Sequence, residues 1–418
     1  MVETVVYRKE ELRPQAQRLA EQEAALAAMV AAAAPAAPAL AEQLAAAGLA
    51  PADITLERLA EVPVTPKADL PAFQARRPPF GGWLAVPVRG LRRVFVSPGP
   101  IFDPEAGGED YWGFAPALFA AGFRAGQLVL NTFSHHLTPA GSMFDGALGA
   151  LGCVAVPTGV GNVDIQLRTL LDLHAEGFVG TPSFLAALLE RAADSGARSP
   201  LEVAVVSGEP LAESLRSTVE DRHGLRVSQV YAIGDIGLIA YECPARNGLH
   251  VADRAIVELV DPTTGAPVQT GHPGEVVVTF LSETYPLLRL GTGDLSRLLD
   301  GDCPCGRTAP RMERILGRVG DAVKVRGIFL HPFDLERAVE RYPEIVRYQA
   351  VVTRSGHADE LTVSVERAAG ALSDDDRLPD AIAAAVREHT RLRATVGIVP
   401  AGTIPADARR IEDRRSWE

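Results

Sequence analysis

A repeated alternation of short apolar runs and helical segments constrains this chain most. The runs occupy residues 128–130, 154–156, 178–180, 203–206 and 227–231, and helical patterns lie between them, as at 165–174 and 183–193. Valine-rich runs this short, joined by helix-length connections, read as parallel strands covered on both faces. In such sheets ligands bind beyond the C-terminal ends of the strands. The residues that follow each run are therefore the ones to inspect for chemistry.

The texture changes on either side of this block. Residues 13–34 are alanine-rich, with Leu19, Leu26 and Val30 at helical spacing and Pro14 in the first turn. Residues 41–47 form a second short helical pattern. After Cys243, residues 257–260 and 275–280 flank turn residues 261–265 and predict an antiparallel hairpin. Beyond Gly317, strands are expected at 323–325, 348–352 and 361–365, and helices at 333–342 and 380–392. The expected fold is α/β. A large N-terminal domain, residues 1–316, holds a mostly parallel sheet and an antiparallel β subdomain at about 243–316. A small C-terminal α/β domain follows, residues 317–418.

Bulk properties exclude several classes. The chain of 418 residues carries 41 basic and 53 acidic residues, a formal charge of -12, which argues against a nucleic-acid surface. No apolar run approaches the roughly 20 residues that a membrane helix needs, and the start has no apolar signal core. Four cysteines make no disulfide framework. A cytoplasmic, reducing location is expected. Only Lys9, Lys67 and Lys324 are lysines, which makes each position informative, because arginine cannot replace lysine as a flexible point charge.

The densest passage of motifs runs from 289 to 336. It contains Gly291-Thr292-Gly293-Asp294, the knuckle Cys303-Pro304-Cys305-Gly306-Arg307, and Gly317-Arg318 leading through Lys324 and Gly327 to Glu336. In this order the motifs resemble those of the phenylacetate-CoA ligase branch of the adenylate-forming enzymes, and the resemblance covers most of the chain. It implies an acid–thiol ligase that takes an aryl or acyl carboxylate, ATP with magnesium, and CoA. It also implies that the C-terminal domain is mobile. Ser207-Gly208-Glu209-Pro210 and Tyr231 would then lie beside adenine, Asp294 would grip the ribose, and Arg318 would reach the nucleotide. Asp235 stands at the position of the family's magnesium-binding carboxylate. Phe133, His135 and Ala232 would line the acid pocket, with His136 as the histidine that meets the reacting carboxylate. The expected partners are these small molecules, without nucleic acid or membrane, and a homodimer is left open.

Cys243, His250, Cys303 and Cys305 form a Cys₃His set of the kind that closes around structural zinc. The Cys-x-Cys spacing alone leaves buried thiols or a redox pair open; the resemblance favours zinc.

Two segments depart from the family pattern. Ser97-Pro98-Gly99-Pro100-Ile101-Phe102-Asp103-Pro104 stands where a glycine- and hydroxyl-rich loop would cradle phosphates. Prolines remove N–H donors and Asp103 adds an unfavourable charge. Near the C-terminus Asp407 stands where the family places a lysine. These departures keep two alternatives in view. One is a relative that handles ready-made acyl-CoA or acyl-adenylate, and the other is a non-catalytic binding protein.

Overall fold

The computed structural model describes residues 6–321, 323–326, 328–355, 358–368, 377–406 and 408–415. Asp407 and Gly327 lie outside them. The chain divides into two compact units, Met1–Ile315 and Leu316–Glu418.

The first unit opens with helices α1 (Gln15–Ala33) and α2 (Pro38–Ala46), then a two-residue strand β1 (Thr65–Pro66) and helix α3 (Leu70–Arg76). A hairpin follows, β2 (Leu91–Ser97) and β3 (Ile101–Ala106), then α4 (Ala115–Ala121). The alternating block comes next: β4 (Leu128–Asn131), α5 (Ala140–Ala150), β5 (Val154–Pro157), α6 (Val163–Leu173), β6 (Gly177–Gly180), α7 (Pro182–Asp194), β7 (Val203–Val206), α8 (Glu213–His223) and β8 (Arg226–Ile233). These strands pair in parallel in the order β8–β7–β6–β4–β5. Every residue of β6 and β7 is buried, as strands covered on two faces must be.

Local chemistry sets the helix starts. Thr181 caps α7, its side chain accepting from the Phe184 N–H, and Pro182 takes the first helical position, where a missing N–H costs nothing. Asn162 caps α6 in the same way, and His174 ends that helix in the left-handed conformation at φ 50°. The cores on the two faces of the sheet separate cleanly. Phe114, Phe123, Val129, Phe133, Phe144, Ala147 and Val205 pack in one, and Leu130, Leu170, Phe178, Leu188, Val206 and Val227 in the other.

Strand β8 is the pivot. Residues 226–229 pair in parallel with β7, and residues 230–233 pair antiparallel with β9 (Gly237–Glu242). The sheet continues antiparallel through β10 (Leu249–Val251) to a pair of two-residue strands, β14 (Leu298–Leu299) and β15 (Arg311–Met312). A second sheet orders β1–β13–β12–β11, with β11 (Ala255–Val260), β12 (Gly274–Phe280) and β13 (Leu290–Ser296) antiparallel and β1 parallel to β13.

The second unit begins with the short strand β16 (Gly317–Arg318) and a hairpin of β17 (Val323–Val325) and β18 (Ile328–Leu330). Helices α9 (Pro332–Val339) and α10 (Leu378–Thr390) pack with a four-stranded sheet ordered β21–β20–β19–β22. Its strands are β19 (Ile345–Ser355), β20 (Ala358–Arg367), β21 (Thr395–Val399) and β22 (Ile411–Asp413). The α/β class, with parallel and antiparallel sheets and a small C-terminal unit, is as the sequence predicts. The segment 97–104 is not an open loop. It is the turn and second strand of the β2–β3 hairpin, and Asp103 points into the protein, fully buried. No single described helix is long and apolar enough to cross a membrane.

Candidate active site

The strand ends bring most of the sequence-identified residues of the first unit to one edge of the sheet. Phe133 follows β4. Its ring stacks on Phe144 at 4.9 Å, the two planes nearly parallel, and it lines a cavity of about 330 Å³ with Thr132, Val160, Thr181, Phe184 and Ala187. Ser207 and Gly208 follow β7. A Cβ placed on Gly208, whose φ is 83°, would meet Thr181 Cγ2 at 3.7 Å and Phe133 Cε1 at 4.0 Å, so this turn borders the same cavity. The Ser207 hydroxyl donates to the Val230 carbonyl at 3.0 Å and ties the turn to β8. Glu209 and Pro210 are exposed. The Glu209 carboxylate accepts from the Ser183 hydroxyl at 2.9 Å and from its N–H at 3.3 Å, at the first turn of α7, where negative charge is favoured.

Tyr231 lies just past the switch in β8 and is buried, and its hydroxyl donates to Asp294 Oδ2 at 2.8 Å. Asp294 is held in turn by the Thr292 hydroxyl, which accepts from its backbone N–H at 3.1 Å. Gly293 (φ 76°) makes the turn and donates its N–H to Glu275 at 2.9 Å. Two residues 63 positions apart are thus joined directly. Ala232 is half-buried beside Tyr231. Arg318 belongs to the second unit, where its N–H donates to Asp321 at 3.3 Å.

The adjacent histidines differ. His135 Nε2 bonds Asp145 Oδ2 at 2.8 Å, and the other Asp145 oxygen accepts from the Asn131 amide, also at 2.8 Å. The ring packs against Gly141, where a Cβ would sit 2.8 Å from Nδ1. His136 is exposed, and its ring makes no hydrogen bond among the described residues. Both residues are exposed, and the structure orients His135 alone through its bond to Asp145.

Asp235 closes the edge, and its surroundings were not legible beforehand. Its side chain is fully buried, and Oδ2 pairs with Lys67 Nζ. Asp103, from β3, lies against the same turn, and its Oδ2 accepts from the Ser97 hydroxyl. A Cβ on Gly234 would lie 2.5 Å from Ser97 Oγ and 3.1 Å from Asp103 Oδ2, so the hairpin fills the space a side chain at 234 would need. Burial first, then the neighbouring Asp235 charge, pushes the Asp103 carboxyl up to about 8. The remaining oxygens, Asp103 Oδ1 and Asp235 Oδ1, are both buried and have no hydrogen-bond partner among the described residues. A magnesium ion does not fit this arrangement, because the one carboxylate expected to hold it is enclosed and already neutralised by an ammonium. Asp103, whose charge would repel a phosphate that it faced, is an interior residue. Lys67 is the functional candidate that motif reading did not place, and its signal was the scarcity of lysine.

Cys243, His250, Cys303 and Cys305 converge. Their ligand atoms all lie within 4.8 Å of one another, with Cys243 Sγ 3.6 Å from Cys303 Sγ and Cys305 Sγ 3.4 Å from His250 Nε2. Zinc–sulfur bonds of about 2.3 Å in a tetrahedron separate sulfurs by about 3.8 Å, so the set fits that ion. His250 Nδ1 faces the Ala309 carbonyl at 3.3 Å, the outer contact that orients a ligating imidazole.

The sequence profile of the "AMP-binding enzyme" family matches residues 114–280, and that of the "AMP-binding enzyme C-terminal domain" matches 327–415. A phenylacetate-coenzyme A ligase of Thermus thermophilus is 34% identical, over 84% of this chain and 85% of that one. The chain belongs to the phenylacetate-coenzyme A ligase family. A further member, from Escherichia coli, is 31% identical over 77% of this chain and 76% of its own length. Among solved structures, an open conformation of 2-hydroxyisobutyryl-CoA ligase in complex with 2-HIB-AMP and CoA superposes with a TM-score of 0.77. It is 26% identical and covers 99% of this chain and 98% of that one. The same enzyme in its postadenylation state with R3-HIB-AMP gives 0.76 at 26% identity, covering 97% and 91%. With its family the chain is an acid–coenzyme A ligase of the AMP-forming class, and the non-adenylating and non-catalytic alternatives are not favoured.

Proposed function

We propose that the edge formed by β4, β6, β7 and β8 activates an aryl or acyl carboxylate with ATP and passes it to CoA. The observation that carries this reading is the Tyr231–Asp294 hydrogen bond of 2.8 Å, made from the same strand-end edge that holds the cavity walled by Phe133. An aromatic ring joined to a turn-held carboxylate is a pair that could grip adenine and ribose, and the apolar cavity walled by Phe133 is of a size suited to a small acid. The neighbour in complex with 2-HIB-AMP and CoA, alike over nearly the whole chain, supports the same assignment.

The chemistry has two balanced steps. A carboxylate oxygen attacks the α-phosphorus of ATP, pyrophosphate leaves, and an acyl-adenylate forms. The CoA sulfur then attacks the acyl carbon, AMP leaves, and a proton is released. Ser207 and Gly208 border the adenine, Tyr231 lies along it, and Asp294 accepts from the ribose hydroxyls. Phe133 and Ala232 wall the acid. His135, held by Asp145, is the histidine we place at the reacting carboxylate; the sequence pattern had put His136 there. Arg318, in the second unit, is the arginine we assign to the nucleotide. Cys243, His250, Cys303 and Cys305 hold one structural zinc. We place the enzyme in the cytoplasm, where ATP and CoA are both supplied.

The test is purified protein with ATP, CoA and a panel of aryl and fatty acids, followed by mass spectrometry. Acyl-AMP and acyl-CoA are expected with at least one acid. Formation of neither with any acid, from protein that still binds acyl-CoA, would overturn the reading.

A further inference from the structure

We propose that Lys67 is the resident cation of the nucleotide site, occupying the Asp235 carboxylate where the fold would otherwise hold a divalent ion. The proposal rests on assigning the 231–235 turn to the nucleotide. The ammonium pairs directly with Asp235 Oδ2, and the acid it meets is fully buried while Lys67 keeps 23% of its side chain exposed. The cation thus sits between the enclosed carboxylates and solvent. Asp103 and Ser97 close the far side from the hairpin, and Gly234 leaves them the room.

Charge decides what this cluster holds. The ammonium already meets the buried Asp235 carboxylate, and the Asp103 carboxyl behind it accepts from the Ser97 hydroxyl. A divalent ion entering would have to displace the ammonium and its hydrogen bond to a buried carboxylate, the strong kind. Magnesium prefers one or two carboxylates and keeps several waters, for which this enclosed pair has no opening while Lys67 is in place. Metal then arrives on the nucleotide and is not stationed on the protein beforehand. Lys67 itself is well placed for the task. It follows β1, whose Pro66 pairs with Gly291 just before the Asp294 turn, and the Gln74 amide of α3 bonds both backbone groups of Phe102 at 2.8 and 2.9 Å. One segment therefore fixes the cation and the hairpin together.

Manganese, a paramagnetic stand-in for magnesium, tests this without nucleotide. Its free signal is followed by electron paramagnetic resonance during titration of the full chain. The wild-type protein should take up no ion at this site. Lys67→Ala should gain one ion per chain, roughly tenfold or more tighter than any wild-type uptake. Adding Asp235→Asn to that variant should abolish the gain, and Lys67→Arg should exclude the ion as wild type does. One manganese bound by wild type and lost in Asp235→Asn would overturn the proposal, as would a folded Lys67→Ala that gains none. The wild-type arm stands even if Lys67→Ala fails to fold. Because no ATP or acid is present, the result is independent of whether the ligase reaction is detected.

Discussion

Two histidines side by side at the end of a strand look equivalent in the sequence, and one carboxylate separates them. Asp145 lies ten residues beyond His135, one turn into α5, and holds its ring at 2.8 Å. A hydrogen bond to a charged group contributes about 1.5–3 kcal/mol. His135→Ala should therefore lower kcat/KM for thioester formation by roughly 10- to 100-fold. His136→Ala should stay within about twofold, as solvent-exposed substitutions do. Steady-state rates with melting curves on both variants check this, and an equal loss in the two would contradict it. The strand ends were legible because βα periodicity is strong; the choice between the two histidines was not, because it depends on which side of α5 Asp145 presents. The inward setting of Asp103 was hidden for a related reason. Read as loop, it faces solvent; as the third residue of β3 it faces inward, with Phe102 out and Ile101 in. Alternation over so few residues, opening on Pro98-Gly99-Pro100, gives little to count.

At the level of elements, the knuckle shows how separated pieces share one small structure. Cys243 follows β9, His250 lies in β10, and Cys303 and Cys305 lie between β14 and β15. The antiparallel ladder aligns them, with Leu249 opposite both Glu242 and Met312. Around it, Arg307 pairs with buried Glu11 at 2.7 Å, so the N-terminal segment is bound to the same spot. We expect one zinc per chain by elemental analysis of unchelated protein. Stripping it, or Cys305→Ser, should lower the melting temperature by about 5 °C or more, because several kcal/mol of site energy is folding energy. A metal-free preparation with unchanged melting would remove the zinc assignment. The four ligands were visible in the sequence as a chemical set. Their convergence was not, because a Cys-x-Cys pair says nothing of partners tens of residues earlier; the ladder register supplies that.

The second unit of the molecule has a core of its own. Val325, Leu335, Ala350, Val363, Val365, Ile382 and Val386 bury themselves within residues 316–418. His331 precedes α9 and lies 5.2 Å from the Phe333 ring, and burial pushes its imidazole below the usual value. A depressed histidine lends stability above its unfolded pKa of about 6.5, and that contribution disappears as pH falls through the lower folded value. Urea titrations at pH 7.5 and 5.5 should show the C-terminal unit losing stability on acidification, by at most about 1.4 kcal/mol per pH unit. His331→Gln should flatten that dependence, and an unchanged slope would show that other groups set it. The hairpin of β2 and β3 carries a different kind of consequence. Gln74 holds its Phe102, and the Leu137 carbonyl accepts from its Val96 N–H at 2.9 Å, so the strand pair is fixed before any ligand arrives. A supple glycine loop loses about 1–2 kcal/mol of backbone entropy for each residue it orders around a ligand. Here that loss was incurred during folding. Association with nucleotide would then be governed by the fit of a rigid wall, with speed set by encounter and little waiting for a loop to close.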